Sequence, residues 1–427
     1  MRKAIALCLA VLLAACEEPL RPDPSTDLAP SFATVATEPD AIAISANIQR
    51  LHVPYGTMID PVFASSDPAS PDFTRLVSYS RAGDAAIWTG HYLAAESFRY
   101  GVTRSRAALA NVRRTVDGIR GLVEVTGTDL LARFYMPTTS PYVADITAGE
   151  QRHTRREGTI DAQPHYWWGN TSRDQYSGVF FGLGVAYDFV DDQATRRRVR
   201  AIVTRMLQFL LRNGWNVVMP DGQISTTFIG RADQQLSFLQ VGRRVNPGRF
   251  AAIYEAHRAA LAAEVPLPII GECFDTHNSY FKFNLDHINL FNLIRLEERL
   301  SPARVFYMQA FTTLRDCTGT HQNAHFNMID RGVRGPDAAR DAETDVLLDL
   351  WLKRPRRDYY VDLRGRPEYP ACGENQSCVP VRVDERMNTD FLWQRSPFQL
   401  YGGLQGLIET AAIDYILPYW MSRWYAQ

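Results

Sequence analysis

The sequence predicts an all-α chain: six helical hairpins in succession, closed as an (α/α)6 toroid with short β-hairpin or loop decorations. Three observations predict it. Apolar and aromatic residues recur at helical spacing in long segments that come in pairs. Breaks rich in Gly, Pro and Asn separate the segments. Small residues recur four apart in segments far from one another in the chain, a pattern that costs helix propensity unless backbones must approach closely.

The first pair is 84–103, with Ile87, Trp88, Leu93, Ala94, Phe98 and Val102, and 107–126, with Leu109, Val112, Val116, Ile119, Leu122 and Val123. Gly127 closes it, as C-terminal glycines do. Segments 172–190 and 194–213 form the second pair, ended by Gly214. The third is 232–245 with 248–263, split by Asn246-Pro247. The fourth is 279–300 with 302–317, and the fifth 321–331 with 338–353. Segment 396–425 supplies the sixth, interrupted at Pro418. Strand signals are sparse: a hairpin over 217–228 around Asp221-Gly222, and a short strand over 358–363.

A faint internal repeat supports the pairing. Gln175 to Leu183 aligns without gaps to Gln399 to Leu407, with glycine at 178 and 182 and again at 402 and 406. Gly90 and Ala94 echo them. A membrane-spanning Gly-x-x-x-Gly helix is opposed by Arg173, Asp174 and Gln175 beside the first copy. Neither copy lies in an apolar run of ~20 residues.

The helix starts Trp88-Thr89-Gly90-His91-Tyr92 and Asn170 to Gly178, together with the glycine echo, carry a likeness to a known architecture. From about residue 80 to 427 the chain resembles the six-hairpin glycosidase-like superfamily. That resemblance implies a fold that hosts hydrolases, lyases, epimerases and proteins without chemistry, so function must rest on a site.

The N-terminus carries an address. Arg2 and Lys3 precede an apolar run from Ala4 to Ala15 that ends in Leu13-Ala14-Ala15-Cys16. This is a charged region, a short apolar core and small residues before a cut site. The run is too short for a spanning helix of roughly 20 residues. It resembles a bacterial lipobox, which implies cleavage before Cys16, acylation of its thiol and attachment to a lipid membrane. Each buried acyl methylene adds about 0.8 kcal/mol. The implied location is the bacterial cell envelope, and Glu17 after the cysteine points to the outer membrane, on its periplasmic or surface face. Residues 1–15 are then a signal peptide. Residues 16–40 are the lipidated cysteine and a disordered tether punctuated by Pro19, Pro22, Pro24 and Pro30, and 41–427 a single toroid domain.

Loss of Arg2 and Lys3 moves the formal charge from -1 to -3. A nearly balanced chain without a concentrated basic face disfavours nucleic acid as a partner. Four cysteines remain after Cys8 leaves and Cys16 is acylated, an even number suited to an oxidising compartment. Cys372 and Cys378, enclosing a five-residue loop, read as one disulfide, and Cys273 with Cys317 follow by elimination. Zinc ligation by these cysteines is disfavoured by their spacing. No cofactor is expected.

Polar side chains at helix starts would gather at one mouth of a toroid. Asn170 to Tyr176 is the leading cluster: Ser172 as N-cap, Arg173, Asp174 and Tyr176 in the first turn, Trp167 and Trp168 just upstream. Flat aromatic faces beside charged and amide groups suit sugar rings. The equally plain alternative is a helix dipole met by Asp174 and tryptophans in the core. Trp88, His91 and Tyr92 form a matching cluster, with an aromatic core stripe as the alternative. A third cluster runs from Thr320 to Asn327. There His321 and His325 are four apart and would share a helix face, but Gln322 stands where a metalloprotease needs its glutamate. No metal site is therefore assigned.

Two chemistries fit. Glycoside hydrolysis needs two carboxyl groups, Asp174 with Asp84, Asp233, Asp275 or Glu96. Elimination on a uronate would use Tyr92 or Tyr176 with His91, His325, Asn327 and Arg173. The expected catalytic set is Asp174, Tyr176, His91 and His325, with Trp88, Tyr92, Trp167, Trp168, Arg173 and Asn327 binding a polysaccharide or oligosaccharide. A non-catalytic envelope protein that binds glycan or a protein partner in the same mouth is the alternative.

Overall fold

The structure, a computed structural model, describes residues 37–65, 75–277, 280–387 and 394–426. The expected signal peptide, Cys16 and the expected tether as far as residue 36 lie outside the described residues. The chain is mostly helical. Its helices are α1 (Glu38–Asn47), α2 (Ala85–Thr103), α3 (Arg106–Glu124), α4 (Val143–Gly149), α5 (Arg173–Phe189), α6 (Gln193–Arg212) and α7 (Ala232–Val245). There follow α8 (Pro247–Leu261), α9 (Pro266–Cys273), α10 (Phe281–Arg295), α11 (Ala303–Thr318), α12 (Ala324–Arg334), α13 (Ala338–Leu352) and α14 (Ile413–Tyr425).

Six of these close a circuit of neighbours: α2 packs on α5, α5 on α7, α7 on α10, α10 on α12, α12 on α14, and α14 back on α2. Each is backed by a second helix. These are α3 behind α2, α6 behind α5, α8 behind α7, α11 behind α10, α13 behind α12 and α1 behind α14. Burial separates the two sets. Every residue of α2 from Ala85 to Gly101 is buried, whereas α3 buries a stripe that includes Val112, Val116, Ile119 and Val123. A helix that is apolar all round belongs inside, and one with a single apolar stripe belongs at the surface. Local signals start the backing helices: Ser105 caps α3, Asp192 caps α6 and Asp337 caps α13, each accepting from a backbone N–H of the first turn.

Small sheets fill the connections. β1 (Asp60–Phe63), β2 (Leu76–Ser80), β8 (Arg357–Asp362) and β11 (Tyr401–Glu409) form one sheet in the order β2-β1-β11-β8. β3 (Phe134–Pro137), β4 (Arg155–Ile160) and β5 (Gln163–Trp168) form a second in the order β3-β5-β4. β6 (Asn216–Val218) pairs with β7 (Ile224–Thr227) across the expected Asp221-Gly222 turn, and β9 (Ala371–Gly373) pairs with β10 (Gln376–Ser377). Disulfides join Cys273 to Cys317 and Cys372 to Cys378, as the spacing suggested.

Several expectations are corrected. Segment 401–409 is strand, not helix, so the glycine echo at 402 and 406 is not helical. Gly403 and Gly406 have φ of 99° and 76°, and a Cβ on Gly403 would meet the Tyr359 carbonyl oxygen at 2.2 Å. These glycines serve an irregular strand pressed on its neighbour. The sixth pair is instead α14 with α1, from opposite ends of the chain. Helix α1 starts at Glu38, inside the stretch assigned to the tether, and α14 runs through Pro418 without a break. His321 precedes α12, so His321 and His325 do not share a helix face.

Candidate functional site

Helices α2 and α5 touch through glycine. A Cβ on Gly90 would lie 1.9 Å from the Gly178 carbonyl oxygen, and one on Gly182 would lie 2.2 Å from that of Gly90. Only glycine permits such an approach. It sets the two helix starts side by side, with Asp84 immediately before α2 and Asp174 in the first turn of α5.

Gln175 locks the pair. Its side chain is buried, and its Oε1 accepts from the Ile87 backbone N–H at 2.9 Å. Its Nε2 donates to Asp84 Oδ1 at 3.1 Å and to Asp174 Oδ2 at 3.3 Å. One amide nitrogen therefore bridges two carboxylates on neighbouring helices. Arg133 holds the same place from beneath. It donates from Nη1 to the Gly83 carbonyl at 2.8 Å, from Nε to the Asn170 carbonyl at 2.9 Å and from Nη2 to Ser172 Oγ at 2.5 Å. Its Nη1 also lies 3.6 Å from Asp84 Oδ1. The Asp84 side chain keeps 34% of its surface exposed, so the bridged pair reaches solvent.

Two cavities flank Asp84. One, of about 460 Å³, is lined by Asp84 itself with Arg81, Glu150, Arg152 and His153. There Glu150 accepts from the Gly83 N–H at 2.8 Å and pairs with His153 Nδ1 at 2.8 Å. The other, of about 430 Å³, is lined by Tyr280, Phe281, Asn375, Gln376, Gln394 and Gln399 among others. Gln394 Nε2 donates to Asp84 Oδ2 at 3.3 Å and so joins the second cavity to the carboxylate.

The expected residues divide between this rim and the core. Asp174 is at the rim, and Arg173 beside it is half-buried. His91 and His325 do converge, with ring centroids 6.0 Å apart, and Trp88 lies 5.2 Å from His91. Their place is the packed interior, next to Phe181, and they line neither cavity. His91 Nδ1 donates to the Ile87 carbonyl at 2.9 Å, and Nε2 accepts from Asn284 at 3.1 Å. Burial pushes His91 down to about 4 and His325 well below the usual histidine value. Both are neutral core groups, which corrects their catalytic assignment.

Tyr176 and Tyr92 are corrected likewise. Tyr176 is fully buried, and its hydroxyl accepts from the Leu131 N–H at 3.2 Å. The Tyr92 hydroxyl accepts from Gln49 at 2.8 Å. Burial raises both phenols well above the ordinary tyrosine value, which removes them as bases near neutral pH. Trp167 and Trp168 end β5 and are 2% and 0% exposed, so they are core rather than stacking platforms. Asn327 accepts from Arg315 at 3.0 Å and donates to Glu343 at 2.9 Å, tying α11, α12 and α13 together. Of the carboxylates weighed as partners for Asp174, Asp233 is buried against Arg231 and Glu96 against Arg99. Asp84 alone of those four shares a hydrogen-bond donor with Asp174.

Arg133, Glu150, His153 and Gln394 carry no motif, and nothing in their local sequence marks them; long-range packing brings them to the rim. Among the described residues, no group of three His, Cys, Asp or Glu side chains is placed to hold a metal ion. Comparisons of the chain with protein-family models, curated proteins and solved structures find no match.

Proposed function

We propose that the circuit of six helices is an (α/α)6 toroid, its sixth hairpin closed by α1, and that its rim hydrolyses glycosidic bonds. In the same proposal the chain is a lipoprotein of the bacterial cell envelope, held to a membrane through acylated Cys16. The observation that carries the activity is the shared Gln175 nitrogen, which holds Asp84 and Asp174 as a pair at a solvent-reaching rim.

Glycoside hydrolysis asks for two carboxyl groups in different protonation states. One gives its proton to the glycosidic oxygen as the bond to the anomeric carbon breaks. The other, ionised, takes a proton from the attacking water or attacks the anomeric carbon itself, and water then completes the exchange. Asp84 accepts from two amides and lies near Arg133, a ring of donors suited to the ionised partner. Asp174 accepts from the Ser172 hydroxyl and the Gln175 amide but has no cationic partner among the described residues, and it takes the proton-donor role in this proposal. Arg133 and Gln175 are positioning residues: they hold the carboxylates without touching the bond.

Elimination is less well supported. It requires a tyrosine or histidine base beside the substrate; Tyr92, Tyr176, His91 and His325 are all buried, and His153, which lines the first cavity, is engaged through Nδ1 by Glu150. The test is release of reducing ends from a polysaccharide panel by the full chain. Asp84→Asn and Asp174→Asn should each lower the rate by a factor of a thousand or more with unchanged melting. Unsaturated products would replace hydrolysis by elimination, and full activity in either variant would remove the pair from the chemistry.

A further inference from the structure

The second cavity adjoins the carboxyl pair through Gln394, and its wall has a distinct make-up. Phe281, at the start of α10, keeps 45% of its surface exposed there. Around it stand the side-chain amides of Asn375, Gln376, Gln394 and Gln399. Arg395, a cation on the same wall, is already engaged by a neighbour. An open aromatic face surrounded by amides is the chemistry that recognises a neutral sugar ring: C–H faces stack on the aromatic ring, and hydroxyls bond donors and acceptors at fixed positions.

The wall is also built in advance. The Cys372–Cys378 disulfide closes the β9–β10 hairpin that carries Asn375 and Gln376. The backbone of Gln376 bridges to that of Gln399, and the Tyr401 N–H donates to Asn375 Oδ1 at 3.0 Å. Gln399 Nε2 donates to the Tyr401 carbonyl at 3.1 Å. Amides held in this way need little ordering when a ligand arrives. Gln394 faces both ways. Its Nε2 donates to Asp84, while its Oε1 is buried with no hydrogen-bond partner among the described residues. The cavity, about 430 Å³, falls within the ~300–1,000 Å³ of small-molecule sites.

We infer that this cavity is a subsite for a neutral sugar of an oligosaccharide, stacked on Phe281 and bonded by Gln394 and Gln399. Its contact with Asp84 puts the adjoining glycosidic bond at the carboxyl pair. The inference rests on the hydrolase proposal for that last step alone; binding stands without it.

The test is calorimetric titration of the full chain, carried as Asp174→Asn so that nothing is cleaved. The probes are the hexasaccharides of β-1,4-glucan, β-1,3-glucan, β-1,4-mannan, β-1,4-xylan and α-1,4-glucan, with tetragalacturonate as an acidic comparison. At least one neutral hexasaccharide should bind. Phe281→Ala and Gln399→Ala should each weaken it tenfold or more, while Phe281→Trp keeps it within threefold. Melting of every variant is measured, and Gln399→Ala serves if Phe281→Ala does not fold. Binding of tetragalacturonate alone, binding of no probe, or neutral binding indifferent to both alanine variants overturns the subsite. Neutral binding without any cleavage by the unmodified chain leaves the subsite standing and removes the hydrolase.

Discussion

Gly90 and Gly178 bring α2 and α5 into backbone contact, so close that a Cβ on Gly90 would overlap the Gly178 carbonyl oxygen at 1.9 Å. The Asp84–Gln175–Asp174 bridge lies one helical turn or so beyond this contact, and it exists because the two helices cannot stand further apart without opening a gap between their starts.

Gly90→Ala is therefore expected to destabilise the fold by about 3 kcal/mol or more, since the obstructing atoms are backbone and cannot rotate away. It should also lower the proposed hydrolytic activity by separating Asp84 from Asp174. Gly248→Ala, in α8 with open space around its Cβ position, should leave stability unchanged or raised by up to ~1 kcal/mol. Urea unfolding of both variants checks the contrast, and equal stabilities would show that α2 and α5 can part freely.

Acid should loosen the core. His91 falls from 6.5 unfolded to about 4 folded, chiefly because burial disfavours its charge, and His287 and His325 shift the same way. The unfolded chain thus binds these protons first, and stability is lost as pH falls from about 6.5 towards 4. For His91 alone the loss is on the order of 3 kcal/mol. Denaturant titrations across that window should show a shallower slope in His91→Asn.

His52 has the opposite sign. Burial would lower its pKa, but hydrogen bonds and charge from Asp60 and Glu409 outweigh burial and raise it. The folded state keeps this proton, so its contribution is complete below about 6.5 and fades as pH rises through the raised value. His52→Asn should flatten the alkaline limb of the stability curve and leave the acid limb as it was. An unchanged alkaline limb would mean that His52 is neutral between its two carboxylates.

The two disulfides should differ in weight. Cys273 and Cys317 are 44 residues apart and Cys372 and Cys378 only 6. Loop-closure entropy assigns about 4 kcal/mol to the first and about 2 kcal/mol to the second. Paired Cys→Ser variants compared by urea unfolding measure the difference, and the reverse order would contradict it.

If Cys16 carries lipid, Cys16→Ala should move the chain from the membrane pellet to the soluble fraction and abolish labelling by an alkynyl fatty acid. A chain that stays in the pellet unlabelled would be held by something other than an acyl chain.

The helices from α2 to α13 that form the hairpins were legible because their signals are local. Apolar spacing on α3 and α6 and Asn246-Pro247 as a break act within a turn or two of chain. The Asp221-Gly222 turn and the Cys372–Cys378 pairing are short-range in the same way. At the site, Asp174 was legible as a polar group at a helix start, and Asp84 as one of its possible partners.

Long-range pairing decided the rest. Tyr401–Glu409 has helix-like glycine spacing, yet β8 and β1 draw it into a sheet, because a strand takes its stability from neighbours distant in sequence. Trp167 and Trp168 looked like a rim and became core once β5 was paired on both sides. His91, Tyr176 and His325 read as chemistry because polar residues are conspicuous in any sequence, but only packing tells a buried, bonded group from one that meets a substrate. The sequence by itself determined the paired helices between α2 and α13. Tertiary structure alone chose Asp84 for Asp174, because the glycine contact that joins them lies between residues some ninety positions apart.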